Sequence, residues 1–148
     1  EAVELYEKGF VKEAILKYRA SAELGNISAQ WDLAIMYQNG NGVGINYKEA
    51  LKWYTKAATK GDKYSQFNLG YMYGYGQGTP KNVSESIKWY KLSANQGLVD
   101  AQYNLGVAYF NGDDVTQDLN EAFRYFKLAA NNGQKDAYFC FFEVNIDF

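Results

Sequence analysis

The sequence repeats itself with a period of 36 residues. The segment LAIMY at 33–37 returns as LGYMY at 69–73 and as LGVAY at 105–109, each copy lying 36 residues after the previous one. The same shift relates aromatic, alanine and glycine positions in the remainder of each unit. A period of this length is typical of arrays in which small structural units stack, because a single unit cannot bury its own apolar face.

The second half of each unit predicts an amphipathic helix. In the first full copy the apolar residues are spaced at i, i+3, i+4, i+7 and i+8, which is one continuous face of an α-helix. These residues are Ala50, Trp53, Tyr54, Ala57 and Ala58. The equivalent rings in the later copies are Trp89, Tyr90, Tyr125 and Phe126. We expect this face to be buried and its rings to form the core.

The first half of each unit predicts a second helix that approaches its neighbour closely. Ser65, Leu69 and Tyr73 are spaced at i, i+4 and i+8 and therefore share one face. Gly70 and Gly106 lie beside that face in successive copies, where the absence of a side chain allows two helices to come together. We expect this packing to outweigh the roughly 1 kcal/mol that glycine costs inside a helix relative to alanine.

The glycine-rich stretch GYMYGYGQGTP at 70–80 is predicted to connect two helices. One glycine in each unit follows the last apolar turn of the first helix, where a C-cap is needed. These glycines are Gly40, Gly76 and Gly112. Six residues after each of them stands a good N-cap residue, Asn46, Asn82 or Asp118. The stretch lacks the preceding strand and the spacing of a phosphate-binding loop, so nucleotide binding is not predicted.

The composition of the chain disfavours several classes of function. Its 148 residues include no histidine and one cysteine, Cys140, which removes the commonest general base, the commonest metal ligand and any internal disulfide. The 15 basic and 17 acidic residues form no block of one sign, which disfavours binding to nucleic acid or to an anionic membrane surface. No apolar run reaches the roughly 18 residues of a membrane span. We predict no enzymatic activity, cofactor or metal, no nucleic-acid binding and no direct membrane insertion.

Three consecutive frames resemble a known repeat family. They begin AQWDLAIMY, SQFNLGYMY and AQYNLGVAY, and each continues to an aromatic pair, two small residues and a final glycine. Over residues 29–133 they resemble the Sel-one-like repeat (SLR), a relative of the tetratricopeptide repeat. The resemblance implies an all-α fold, a right-handed α-solenoid of antiparallel helix pairs, with first helices lining a concave face. It also implies the function of a protein–protein interaction scaffold or adaptor.

The repeat divides the chain into five predicted segments. Residues 1–25 keep the second helix but have a shorter turn before it, which is similar to a tetratricopeptide repeat. Sel-one-like units are expected at 26–61, 62–97 and 98–133. Residues 134–148 are expected to form a capping helix or a truncated repeat.

The resemblance implies that first-helix residues outside the buried face line the concave surface and bind a peptide or partner protein. These residues are Trp31, Asp32, Ile35, Phe67, Asn68, Tyr71, Tyr75, Tyr103, Asn104 and Val107. Aromatic rings can hold apolar side chains, and the amides of Asn68 and Asn104 can pair with a peptide backbone. Because the set contains no Lys or Arg, we expect an apolar or hydroxyl-bearing peptide, with a basic residue near Asp32 or Asp100.

Other interpretations of these features are kept as alternatives. Trp31, Phe67, Tyr103 and Phe139 recur at the 36-residue period, so this aromatic column would also suit packing between units. The apolar ending within residues 135–148 would support self-association into a homo-oligomer if it is exposed. The chain would also suit the regulatory arm of a larger enzyme.

Two short features have structural interpretations as well as functional ones. The tripeptides NIS at 26 and NVS at 82 match the N-glycosylation acceptor pattern, although Asn26 and Asn82 also stand where helix caps are needed. Cys140 lies among aromatic residues and is expected to be a small buried apolar residue, since no histidine is present to activate a thiol.

Overall fold

The computed structural model describes residues 1–7, 9–112, 114–137 and 140. Within these residues it contains helices, turns and bends but no strand. The helices are α1 (Ala2–Glu7), α2 (Val11–Glu23), α3 (Ile27–Asn39), α4 (Tyr47–Thr59), α5 (Lys63–Tyr75), α6 (Val83–Asn95), α7 (Val99–Asn111) and α8 (Leu119–Asn131). The prediction of an all-α fold is confirmed.

Each helix packs on its neighbours in the sequence. Helices α3 and α4, α5 and α6, and α7 and α8 form pairs, and α4 contacts α5 as α6 contacts α7, so that each pair stacks on the next. Helices α2 to α8 each contain 13 residues, which makes successive pairs equivalent building blocks. Stacked helix pairs that contact mainly their neighbours are the architecture of a solenoid, as predicted.

The helix ends are fixed by residues that recur in each unit. Gly40, Gly76 and Gly112 end α3, α5 and α7 in the left-handed conformation, with φ of 76°, 70° and 70°. Such a backbone strains residues that carry a Cβ, which explains the choice of glycine. The side-chain oxygens of Asn46 and Asn82 each accept a hydrogen bond of 3.1 Å from a backbone N–H of the first turn, and the equivalent residue caps α8. These caps confirm the sequence prediction.

The aromatic and alanine face of the second helices forms most of the core. All five residues predicted for this face of α4 are buried, with Trp53 and Tyr54 at 2% and 0% exposure. Tyr90, Tyr125 and Phe126 are buried at the equivalent positions of α6 and α8.

Trp89 is the exception to the predicted core. Its ring is half-buried and packs at the edge of the core that contains Trp53 and Leu69. The ammonium of Lys88 lies 5.7 Å from the centroid of this ring. The Trp53 ring is covered by a second lysine, Lys56, at 4.3 Å, and the equivalent position of α6 holds Leu92. The prediction that Trp89 is fully buried is therefore wrong.

Rings of the second helices rest on glycines of the first helices. A Cβ built at Gly106 would lie 2.6 Å from two ring atoms of Phe126, and one built at Gly70 would lie 2.9 Å from the ring of Tyr90. In the preceding pair the same position holds Ala34, which is fully buried. The close approach predicted from these small residues is therefore present within the pairs.

A buried glutamine joins each unit to the unit before it. Gln30, Gln66 and Gln102 donate from Nε2 to carbonyl oxygens near the end of the preceding second helix, over 2.9, 3.2 and 3.2 Å. The Oε1 atoms of Gln66 and Gln102 accept from Gln96 and Asn132 over 2.8 and 3.1 Å. The Oε1 atom of Gln30 is buried with no hydrogen-bond partner in the described part of the chain. The sequence analysis assigns no role to these glutamines.

We expect Gly106→Ala to destabilise the protein although alanine favours helix. The new methyl group meets the Phe126 ring at 2.6 Å, and overpacking of about 1–3 kcal/mol exceeds the gain in helix propensity of about 1 kcal/mol. Urea unfolding followed by circular dichroism should show a net loss of up to roughly 2 kcal/mol. Gly44→Ala is the control, because nothing lies within 4 Å of a Cβ there and its φ is not left-handed. Equal stability of the two variants would contradict the packing argument.

We expect Gln66→Met to cost more stability than the same substitution at Gln30. Gln66 uses both ends of its amide, whereas the Oε1 atom of Gln30 is already buried without a partner. The loss at Gln66 should be about 1–3 kcal/mol, and at Gln30 the removal of an unpaired oxygen should offset part of the loss. Urea unfolding of both variants measures the difference, and a larger loss at Gln30 would disprove this account.

Candidate functional site

The predicted binding residues lie along α3, α5 and α7, on a surface that we call the groove surface. It consists of Trp31, Asp32, Ile35, Phe67, Asn68, Tyr71, Tyr75, Tyr103, Asn104 and Val107. Tyr75 is 69% exposed, and the other nine residues are half-buried. Each of these side chains therefore keeps part of its surface accessible to another molecule.

Two adjoining cavities lie beside Trp31 and Asp32. The larger has a volume of about 400 Å³ and is lined by these two residues together with Ser28, Asp62 and Tyr64. The smaller, of about 260 Å³, is lined by the same two residues and by side chains from the first three helices and the loop after them. These additional residues are Tyr6, Tyr18, Ile35, Met36 and Asn41. The fold thus brings together the three groove-surface residues that α3 supplies.

A third cavity, of about 330 Å³, lies where α5, α6 and α7 meet. It brings Tyr75, Asn104 and Val107 of the groove surface together with the buried Tyr90. The side chain of Asn104 lies close enough to the Tyr90 hydroxyl to lower its pKa. Two successive first helices therefore contribute to one cavity, and a core residue supplies a polar group to it.

The other four residues of the groove surface do not line these cavities. The ring of Tyr71 packs against that of Tyr75, with a distance of 4.3 Å between centroids. Phe67 and Tyr103 lie 5.4 and 5.9 Å from buried rings of α6 and α8, and Asn68 is half-buried. The aromatic column thus contacts the core on one side and is accessible on the other, which suits both packing and binding.

Burial shifts the titration of three groups near the cavities. It raises the pKa of the Asp32 carboxyl above its ordinary value. Burial raises the pKa of the Tyr18 hydroxyl, and the negative charge of Asp32 raises it further by a smaller amount. Burial raises the pKa of Tyr90 to about 12, against the opposite effect of the nearby Asn104 side chain. The two tyrosines therefore present neutral hydroxyls that can donate and accept hydrogen bonds at pH 7.

Several residues that line the cavities are missing from the predicted set. Tyr18 stands 36 residues before Tyr54, so the repeat itself contains the signal that places it in α2. Tyr90 is predicted only as a core residue, because periodicity does not reveal that its hydroxyl reaches Asn104. Tyr6 has no aromatic counterpart 36 residues later, and no sequence signal points to it.

Three further predictions involve the ends of the chain or the helix caps. The Oδ1 atom of Asn26 accepts a hydrogen bond of 2.8 Å from the first turn of α3, so this asparagine caps a helix as expected. Cys140 is half-buried rather than fully buried, and it lies close enough to Tyr103 to raise the pKa of that hydroxyl, after the larger effect of burial. Phe139 and residues 141–148 lie outside the described residues, and so does most of the segment predicted to support self-association.

The described residues contain neither a membrane-spanning helix nor a cluster of metal ligands. None of their helices is long and apolar enough to cross a membrane. In the same part of the chain, no three histidine, cysteine, aspartate or glutamate side chains converge to hold a metal ion.

Comparison with known proteins identifies the repeat. The family model described as the Sel1 repeat matches residues 27–62, 63–98 and 99–134. Among curated protein sequences, none matches the chain significantly.

Solved structures give similar results. A protective antigen of uropathogenic Escherichia coli strains with an SLR fold is 41% identical with a TM-score of 0.81, over 84% of this chain and 27% of that protein. A Sel1 repeat protein from Oxalobacter formigenes is 33% identical with a TM-score of 0.83, over 93% of this chain and 56% of that protein. Cysteine-rich protein B of Helicobacter pylori, 21% identical over 85% of this chain and 90% of that protein, shares the fold with a TM-score of 0.65.

These matches confirm the resemblance drawn from the sequence. The chain spans about a quarter of the Escherichia coli antigen and just over half of the Oxalobacter protein. Sel1-repeat proteins generally serve as protein-interaction scaffolds and are typically non-catalytic. The family model matches three consecutive units that together cover most of the chain, and the chain therefore belongs to the Sel1-repeat family.

Proposed function

We propose that the chain is a non-catalytic interaction module that binds a peptide, or an extended segment of a partner protein, along the groove surface. The observation that carries this proposal is the cavity shared by α5, α6 and α7. There Tyr75, Asn104 and Val107 combine an accessible ring, an amide and an apolar side chain within about 330 Å³. This volume lies in the range of roughly 300–1,000 Å³ that is usual for ligand pockets.

The chemistry of the groove surface favours a protein ligand over a polyanion. Asp32 is the one charged residue in the set, and it is negative. One basic residue, Lys81, lines the third cavity. It forms an ion pair with Asp114, which lines the same cavity. A nucleic acid would need several cationic contacts with its phosphates, which this surface does not offer.

The mixture of rings and amides favours an extended peptide in particular. Tyr71 and Tyr75 form a packed pair that offers a broad apolar surface with hydroxyl groups at its edge. A side-chain amide can donate to and accept from a peptide backbone, and Asn68 is placed one helical turn before this pair. Aromatic side chains that become buried when a partner binds commonly dominate the affinity of protein interfaces.

Selection of linear peptides from a displayed random library against the purified chain tests the proposal. We expect peptides with affinities on the order of micromolar. Tyr71→Ala/Tyr75→Ala should weaken the selected peptides at least about tenfold, because it removes the aromatic pair. This variant leaves Asn104 in place, so the hydroxyl of Tyr90 keeps this neighbour.

Leu92→Ala/Leu128→Ala is the matched control, because it removes two apolar side chains that are 41% and 38% exposed on second helices. Fluorescence polarisation gives the affinities, and thermal melting by circular dichroism checks that both variants fold. Peptides that bind the aromatic variant as well as the wild type but lose affinity for the leucine variant would overturn the proposal and direct attention to the second helices.

A further inference from the structure

The larger cavity beside Trp31 has the composition of a site for a positive charge. We call it the Asp32 pocket, and it consists of Ser28, Trp31, Asp32, Asp62 and Tyr64. Its two rings come from successive first helices, with centroids 6.5 Å apart and planes at 61°. Aromatic faces attract cations through the ring quadrupole, and carboxylates add a full charge of the right sign.

The carboxylate of Asp32 is not neutralised within the described protein. It is half-buried in α3, and no ion pair or hydrogen bond links it to any described residue. Burial alone raises the pKa of this group, which shows that the charged form is poorly solvated. A cation that enters the pocket would restore the favourable interaction that the carboxylate loses on burial.

The other charged groups around the pocket leave it negative. Asp62 adds a second carboxylate, one oxygen of which accepts a hydrogen bond of 2.6 Å from the backbone N–H of Ser65 at the start of α5. The ammonium of Lys63 lies 5.3 Å from the centroid of the Tyr64 ring. Lys63 does not line the pocket, whereas Asp32 and Asp62 both do. The Tyr64 ring already interacts with an ammonium group, so its chemistry suits a cation.

We propose that the Asp32 pocket binds the side chain of a lysine or arginine in the peptide ligand, with Asp32 as the counter-charge and Trp31 and Tyr64 as aromatic walls. This inference rests on the proposed function and specifies it further: the peptide carries a basic residue at the α3 end of the groove surface and apolar or hydroxyl-bearing residues toward α7. The volume of about 400 Å³ is sufficient for one long side chain.

The pocket can be tested without knowing the natural ligand. The probes are Nα-acetyl-argininamide and Nα-acetyl-lysinamide, and Nα-acetyl-citrullinamide is the neutral analogue of the arginine probe. Titration into the ¹⁵N-labelled protein is followed by the backbone amide resonances of residues 28, 32 and 64 and by the indole N–H of Trp31. We expect saturable shifts with both cationic probes and shifts at least about fivefold weaker with the citrulline probe.

Asp32→Asn is the decisive variant, because it keeps the shape of the side chain and removes its charge. It should reduce the apparent affinity for the cationic probes at least about fivefold. Asp136→Asn is the matched control: Asp136 is exposed near the end of the described residues and does not line the pocket. Equal shifts with the arginine and citrulline probes, or unchanged affinity in Asp32→Asn, would overturn the inference.

The outcome is separable from that of the peptide selection. If displayed peptides depend on Tyr71 and Tyr75 but the cationic probes do not shift the pocket, the inference is wrong and the proposed function stands. If the probes bind in the pocket but no peptide depends on those tyrosines, the pocket is a cation site and the proposed groove function is wrong. Peptides that contain a conserved Lys or Arg and lose affinity in Asp32→Asn would support both.

Discussion

Each helix pair of this solenoid depends on aromatic rings that rest directly on the backbone of the partner helix. At Gly70 and Gly106 no side chain separates the rings of Tyr90 and Phe126 from the first helix. Contact at this distance sets the spacing of the two helices in a pair. The spacing in turn fixes which edge of each first helix remains accessible, so the glycines that build the pairs also determine the shape of the groove surface.

Periodicity makes most of this fold predictable from one sequence. The C-cap glycines, the asparagine N-caps and the buried rings of α4 all recur with the 36-residue shift, and local rules are sufficient to assign them. Trp89 shows the limit of the method, because periodicity predicts equivalent positions while the exposed fraction depends on the side chains that surround each copy. Burial at one position of an array need not be equal in every copy.

The candidate site is less predictable for a related reason. The groove surface follows from the family resemblance, but the third cavity joins Tyr90 and Asn104, residues of different units, at no periodic spacing. The two cavities beside Trp31 likewise need side chains from other helices, the larger from α5 and the smaller from α1 and α2. Such combinations arise from the way the helices pack on one another, which sequence spacing alone does not reveal. Residues that recur at equivalent positions of the repeat therefore predict the fold, whereas the candidate site depends on residues that differ from one copy to the next.

The glutamine junctions have a consequence for how the array comes apart. Each glutamine donates from its first helix to the end of the previous unit, and in the later units a second amide at the end of the same unit holds the glutamine oxygen. The Gln30 oxygen has no such partner in the described chain. Separation of α2 from α3 therefore lets this unpaired oxygen gain solvation, whereas at the later junctions the glutamine oxygens are already hydrogen-bonded. Local opening of the solenoid should accordingly be polarised, with α1 and α2 detaching as a unit while α3 to α8, which carry the groove surface, stay intact.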